Sequence, residues 1–403
     1  MSDSNLFRKM AADCYKRWTL HILYPSRYKR LVRKKAVREN KIVFLEVREK
    51  KLTDSFLPVY HALKKSGKWE IRCLSLQQDL ADRKTVRALS LRAIRDLADA
   101  KYIFMNDSSY LIGSLPLRPQ TKVIQLWHAC GAFKRFGYSL TGKKFGAQKK
   151  ELDRFPLYRN ISLVTVSSPE VRWAYADAFS LPLEKILPVG VARTDVFYRP
   201  SAIRRAQEKL RKILPECFEK GRKRKVVLYA PTFRGRVATA ASPELPDFAA
   251  IRRMLKTQDW LVLCKHHPFV KKRPVLPPGL EDFVRDVSDD MTIEELLMVS
   301  DVCITDYSSL IFEYSLFERP VIFFFPDLEE YTKWRGFYYP IEQMLPGPVV
   351  TCTREVGERL LEPDEWFDKA KMHEFRQRFM SSCDGQVTER IVGLLSDSPP
   401  QLL

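Results

Sequence analysis

The chain has 403 residues, 45% of them hydrophobic and 29% charged, with a formal net charge of +20. That length suits two domains better than one core, and the composition excludes an intrinsically disordered chain. The positive excess calls for an anionic partner: nucleic acid, an anionic bilayer face, or phosphate-bearing substrates. Eight cysteines stand singly with no C-x-x-C pair, which leaves a zinc ribbon or dithiol redox motif without support and fits a reducing, cytoplasmic compartment. No run reaches the ~18 apolar residues of a spanning helix, so any membrane contact is expected to be peripheral.

Residues 1–40 stand apart. Positions 1–38 carry eleven Lys or Arg against only Asp3 and Asp13. Phe7, Met10, Ala11, Cys14, Trp18 and Ile22 recur at helical spacing, and the basic cluster Arg27, Lys29, Arg30, Arg33, Lys34, Lys35 and Arg38 follows. An apolar stripe with basic flanks suits the surface of an anionic bilayer; packing of the stripe on the protein's own core is the alternative.

From residue 41 short β-rich runs alternate with helical patterns: KIVFLEV (41–47), KYIFM (101–105), KVIQLW (122–127) and SLVTVS (162–167). Helices are predicted over 54–66, 84–99 and 169–179, the last with Pro169 in its first turn and Ser167 and Glu170 as a capping box. A polar, basic stretch at 200–224 precedes a second series, KVVLYAP (225–231), DWLVLCK (259–265), DVCIT (301–305) and PVIFFF (320–325). These continuous apolar runs read as strands buried on both faces, separated by helices near 246–257, 292–299 and 308–318. The pattern predicts two doubly wound α/β domains, 41–200 and 201–345, followed by closing helices over 346–403 that include 386–396. Ligands in such sheets bind beyond the carboxyl ends of the strands, here in the cleft between the domains.

Three of the six histidines lie directly after buried strands: His128 follows KVIQLW, and His266 and His267 follow WLVLCK. Strand-end imidazoles facing a cleft are candidate acid–base groups, with His128 and His267 favoured. Adjacent side chains on an extended segment point apart, so 266–267 is not read as a metal pair; no metal and no cofactor is expected. Thr305-Asp306-Tyr307-Ser308-Ser309 ends one strand and opens a helix, which predicts phosphate binding by hydroxyls and free N–H groups; an ordinary cap by Ser308 or Ser309 is the simpler alternative. Glu313, about one turn in, is placed to accept bonds from ribose or alditol hydroxyls. Thr232 and Arg234, after KVVLYAP, add phosphate donors, and Lys134, Arg135, Lys143 and Lys144 add positive charge. No G-x-G-x-x-G follows a strand, GYSLTGK (137–143) lacks the following Ser/Thr of a phosphate loop, and no D-x-D metal motif occurs. Aromatics are not interleaved with the basic runs, so no nucleic-acid partner is expected.

WHACGAFKRFG (127–137), PVGVARTDVFY (188–198), YAPTFR (229–234), KHHPF (265–269) and TDYSSLIFEYSLFERPVIFFFPDLEEY (305–331) together resemble the CDP-glycerol glycerophosphotransferase family, the teichoic acid primases and polymerases. The resemblance spans roughly residues 41–345. It implies a glycosyltransferase-B-type pair of Rossmann-like domains working without a catalytic metal at the cytoplasmic face of the cell membrane. The donor would be CDP-glycerol or CDP-ribitol, and the acceptor a polyprenyl-diphosphate-linked saccharide or a polyol-phosphate chain. The family's two histidines fall on His128 and His267, its donor-phosphate residues on Thr305, Ser308 and Ser309 with Thr232 and Arg234 in support, and its helix acid on Glu313. Asp306 belongs to the same substrate-binding segment. WHACG in place of the WHGTP of many polymerases, and the lack of a long N-terminal repeat region, favour a primase-like or short member. The rival reading is a nucleotide-sugar glycosyltransferase of the same fold.

Overall fold

In the computed structural model, which describes residues 3–395 apart from 54, 79, 156, 216, 217, 219–223, 237, 238, 257 and 258, the strand–helix alternation resolves into two sheets. The first contains β1 (Arg38–Glu46), β2 (Glu70–Ser75), β3 (Ala100–Met105), β4 (Lys122–Gln125), β5 (Leu163–Thr165) and β6 (Ile186–Leu187). The second contains β7 (Lys225–Ala230), β8 (Trp260–Cys264), β9 (Val284–Asp286), β10 (Val302–Thr305), β11 (Val321–Phe324) and β12 (Val349–Val350). Their orders are β2-β1-β3-β4-β5-β6 and β12-β11-β10-β7-β8-β9. Every neighbouring pair runs parallel. Each unit is therefore Rossmann-like. The strand order reverses between β1 and β3 in the first sheet and between β7 and β10 in the second, the places where ligand crevices open.

The apolar runs behave as strands covered on both faces. Val302 and Ile304 of β10 enter one buried cluster while Cys303 enters another, the period-two alternation of a strand. The strands that patterning missed, β2, β6, β9 and β12, are two to six residues long, and β2 lies half-exposed at an edge. One buried cluster joins Trp127, Phe133 and Tyr175 of the first unit to Tyr307 and Phe312 of the second, so the two units share a core.

Several local expectations need correction. The basic stretch after residue 200 begins as a helix, Pro200–Ile213, with Ala202, Ala206 and Leu210 buried and Lys209 paired with Glu295; residues 216, 217 and 219–223 of that stretch lie outside the described residues. Ser167 does not cap the following helix: its hydroxyl donates to the Phe379 carbonyl and accepts from the Gly131 N–H. The boundary expected at 345 precedes β12, which pairs with β11, and the helix Thr353–Leu361 completes the second unit's core. The chain then returns. Helix Val387–Gly393 packs on the first unit, its leading N–H groups held by the buried Asp195 carboxylate. Residues 396–403 of the closing segment lie outside the described residues.

At the other terminus, helices Asp3–Arg17 and Tyr24–Val32 are joined by a π-helical turn, Trp18–Leu23. Leu20, Tyr24 and Tyr28 enter the first unit's core beside Ile94 and Leu97. The stripe Phe7, Met10, Ala11, Cys14, Trp18, Ile22 faces outward, with Phe7 74% and Ile22 56% exposed. The segment thus has two apolar faces, and the protein covers only one. Among the described residues no helix is long and apolar enough to cross a membrane.

Candidate functional site

A cavity of about 660 Å³ opens where the carboxyl ends of the two sheets face each other. The first unit contributes His128, Lys134, Asn106 and Asp107, and the second His267, Ser309 and Arg335.

His128 stands just beyond β4. Trp127 before it takes a left-handed backbone (φ 58°), uncommon for a bulky side chain and held by ring contacts with Phe136 and Phe179. The indole stacks on the His128 imidazole with centroids 4.3 Å apart. Nδ1 of His128 lies 3.0 Å from the Asn106 carbonyl oxygen and 3.9 Å from an Asp107 carboxylate oxygen. Both neighbours are acceptors, so Nδ1 carries the proton and Nε2 is left with a lone pair. The imidazole is half-exposed and lines the cavity. This is the disposition of a general base.

His267 stands three residues beyond Cys264, the last residue of β8; the intervening Lys265 has its ammonium fixed by the carbonyls of Ser288 and Met291. Its ring sits between Phe233 and Phe269, 4.7 and 4.6 Å away. Its Nδ1 accepts the Phe269 N–H at 3.2 Å, which puts the ring proton on Nε2. Burial, and then the nearby Lys134 and His128, push its pKa down to about 4. His267 is therefore a neutral hydrogen-bond donor at physiological pH. His266 is buried instead, its N–H on Ser288 Oγ. Among the described residues no three His, Cys, Asp or Glu side chains converge as a metal-ligand set.

The TDYSS segment divides. Ser309 lines the cavity, and the Ser308 hydroxyl accepts the Leu310 N–H at 3.4 Å, a weak cap. Thr305 does not line the cavity: it is buried and donates to the Ala230 carbonyl at 2.7 Å. Asp306 is buried too, accepting from the Thr232 N–H (2.7 Å) and from Arg234 (2.9 Å). Arg234 makes four hydrogen bonds, to Asp306, to the Thr232 carbonyl and, bidentate, to Asp327, beside the Tyr307 and Tyr331 rings. Burial opposes its charge, but the two carboxylates outweigh it and hold the guanidinium firmly protonated. Thr232 is buried with its hydroxyl unpartnered. These four residues frame the second sheet's crevice and do not line the cavity.

Glu313 also departs from expectation. It is buried, and its carboxylate meets Arg193 at 2.6 Å, with Glu294 sharing the same guanidinium at 3.3 Å. Burial raises its pKa, with Arg193 pulling the other way. Arg193, inside PVGVARTDVFY, is a residue to which sequence reasoning gave no role; its other arm donates to the His128 carbonyl at 3.0 Å. Asn106 and Asp107 were missed as well, although they directly follow the predicted strand 101–105, the same signal that singled out His128.

Two Rossmann-like units enclosing a half-exposed imidazole on one wall and neutral and cationic donors on the other have the arrangement of a two-domain α/β group transferase. The model of the CDP-glycerol:poly(glycerophosphate) glycerophosphotransferase family matches residues 27–397, and the chain belongs to that family. It is 35% identical over 379 residues to the teichoic acid ribitol-phosphate primase of Bacillus spizizenii, covering 93% of this chain and 95% of that protein. It is also 35% identical over 359 residues to the teichoic acid poly(ribitol-phosphate) polymerase of the same organism, with 88% of this chain matched to 56% of that longer protein. Among solved structures, the wall teichoic acid polymerase TagF, as a histidine-to-asparagine variant soaked with CDPG, superposes with a TM-score of 0.74 at 25% identity over 98% of both chains.

Proposed function

We propose that the protein transfers ribitol-phosphate or glycerol-phosphate from the corresponding CDP-alditol to a hydroxyl of a polyprenyl-diphosphate-linked saccharide or polyol-phosphate chain in teichoic acid synthesis. The match to a ribitol-phosphate primase along nearly its whole length favours CDP-ribitol and a primase-like role. In this reading the fold is of the glycosyltransferase-B type, with the acceptor on the first unit and the donor on the second.

The observation that carries the mechanism is the His128 hydrogen bond to Asn106, which leaves Nε2 as the proton acceptor in the cavity. Nε2 takes the proton of the acceptor hydroxyl as its oxygen attacks the phosphorus nearest the alditol. The new O–P bond forms, the bond to the bridging oxygen breaks, and CMP leaves with the negative charge. Such transfer depends on in-line placement and charge neutralisation more than on covalent help. His267 donates its Nε2–H to the diphosphate, and Ser309 adds a hydroxyl.

The outward stripe on helix Asp3–Arg17 and the turn after it, next to exposed Lys29, Arg30, Arg33 and Lys34, supports peripheral attachment to the anionic cytoplasmic leaflet, where a lipid-linked acceptor would be found.

The test is CMP release with CDP-ribitol, CDP-glycerol and UDP-N-acetylglucosamine as donors and a lipid-linked disaccharide as acceptor. His128→Ala should lose ~10²–10⁴-fold in turnover while still binding donor. Near-normal turnover removes the assigned base, and turnover with the UDP-sugar alone replaces the donor class.

A further inference from the structure

A diphosphate bound between the units needs positive charge, and the arginine that the sequence offered for it is already committed to two carboxylates. Lys134 is not. Its backbone is anchored by a bridge to Phe337 of the second unit. Its half-buried side chain lines the cavity, and its ammonium has no hydrogen bond or ion pair among the described residues. The cations around it are Arg335 from the segment after helix Leu328–Trp334 and Arg234 from beyond β7, with the neutral His267 beyond β8. Among the described residues Asp306 opposes them, and that carboxylate is engaged by Arg234 and the Thr232 N–H. On its own loop Arg135 turns away to the Phe337 carbonyl. The site holds an excess of positive charge around an unpaired lysine and an open cavity.

We propose that Lys134, reaching across from the first unit, is the group that neutralises the donor diphosphate, and that it takes up a proton from solvent as the diphosphate enters. This rests on the donor class proposed above. Before the anion arrives, burial and the neighbouring Arg335 and Arg234, against Asp306, hold the lysine down to about 7. The amine is then largely neutral at mildly alkaline pH. A diphosphate beside it reverses the balance, because opposite charge favours the protonated form. In the reaction the ammonium meets the charge that builds on departing CMP, and when CMP leaves the proton returns to solvent. The arrangement gives a neutraliser that carries its full charge only with donor bound.

Titration calorimetry at about pH 8.5, in buffers of different protonation enthalpy, reads the proton directly. The probes are CDP-ribitol, CDP-glycerol and UDP-N-acetylglucosamine, whose diphosphate diesters do not titrate there. A lysine with a pKa near 7 is only ~3% charged at that pH, so wild type should take up roughly one proton per donor. Lys134→Met should lose the uptake and bind at least ~10-fold more weakly, about one decade of Kd. Lys134→Arg, charged at all relevant pH, should keep affinity within a few-fold yet take up no proton. Binding by wild type without uptake, or Lys134→Met with unchanged Kd, overturns the inference and leaves the donor class standing. Should Lys134→Met fail to fold, the proton count of wild type against Lys134→Arg decides alone. Uptake with the UDP-sugar but no CDP-alditol binding keeps the inference and removes the donor class. Failure of all three to bind overturns both.

Discussion

Arg193 donates to the carbonyl oxygen of His128 at 3.0 Å while the same guanidinium meets Glu313, on the other unit, at 2.6 Å. The loop that presents the candidate base is thereby tied to the helix that follows the TDYSS segment. One guanidinium thus connects the imidazole's loop in the first unit to the second unit.

Replacing Arg193 by Met should separate these roles. It leaves Glu313 and Glu294 buried without their shared cation, a loss of about 3–5 kcal/mol in unfolding free energy. Adding Glu313→Gln to Arg193→Met should recover part of that stability, because one of the two uncompensated carboxylates is gone. It should not recover turnover, which stays ~10–100-fold down in kcat with a smaller change in donor KM, since the His128 loop remains untied. Recovery of both together would reduce Arg193 to a structural ion pair.

His267 has a folded pKa near 4 against roughly 6.5 when unfolded. Between those values the unfolded chain binds the proton and the folded chain does not. This group's contribution therefore falls as pH drops from about 6.5 through about 4, and is constant above. Denaturant unfolding of wild type and His267→Gln across that window should show a shallower acid loss in the variant. Glutamine also keeps an N–H donor, so its turnover should exceed that of His267→Ala. Equal slopes in the two proteins would place the histidine's titration elsewhere.

Gly131 sits at φ 61°, and a Cβ there would fall 2.3 Å from the Phe312 ring. Gly131→Ala should cost about 2–4 kcal/mol, from the left-handed backbone and the overlap at the shared core. Adding Phe312→Leu should return some of it. A thermal midpoint for Gly131→Ala equal to wild type would show that the units do not meet at this contact.

Trp18→Glu with Ile22→Glu should abolish sedimentation with phosphatidylglycerol vesicles and leave the thermal midpoint close to wild type, because both side chains point away from the core. Binding of wild type should weaken with salt through the basic residues beside the stripe. Retained vesicle binding in the double variant would assign attachment to another surface.

Elements whose signal is local were legible along the chain. Runs such as WLVLC and VCIT read as strands buried on both faces, which is what they form, and His128 and His267 stood out because a strand end is visible in one dimension. The apolar stripe from Phe7 to Ile22 was readable from its spacing, but that it faces outward is shown only by the exposure of its residues in the fold. Tertiary structure decided which polar residues remain free to act. Arg234 has the right chemistry for phosphate, but Asp306 and Asp327, 72 and 93 residues away, take its donors. Glu313 is taken by Arg193 in the same way, and Lys134 is left facing the cavity with no such partner among the described residues. A side chain's chemistry is written in its own residue, whereas its availability depends on which distant groups the fold brings within hydrogen-bond reach.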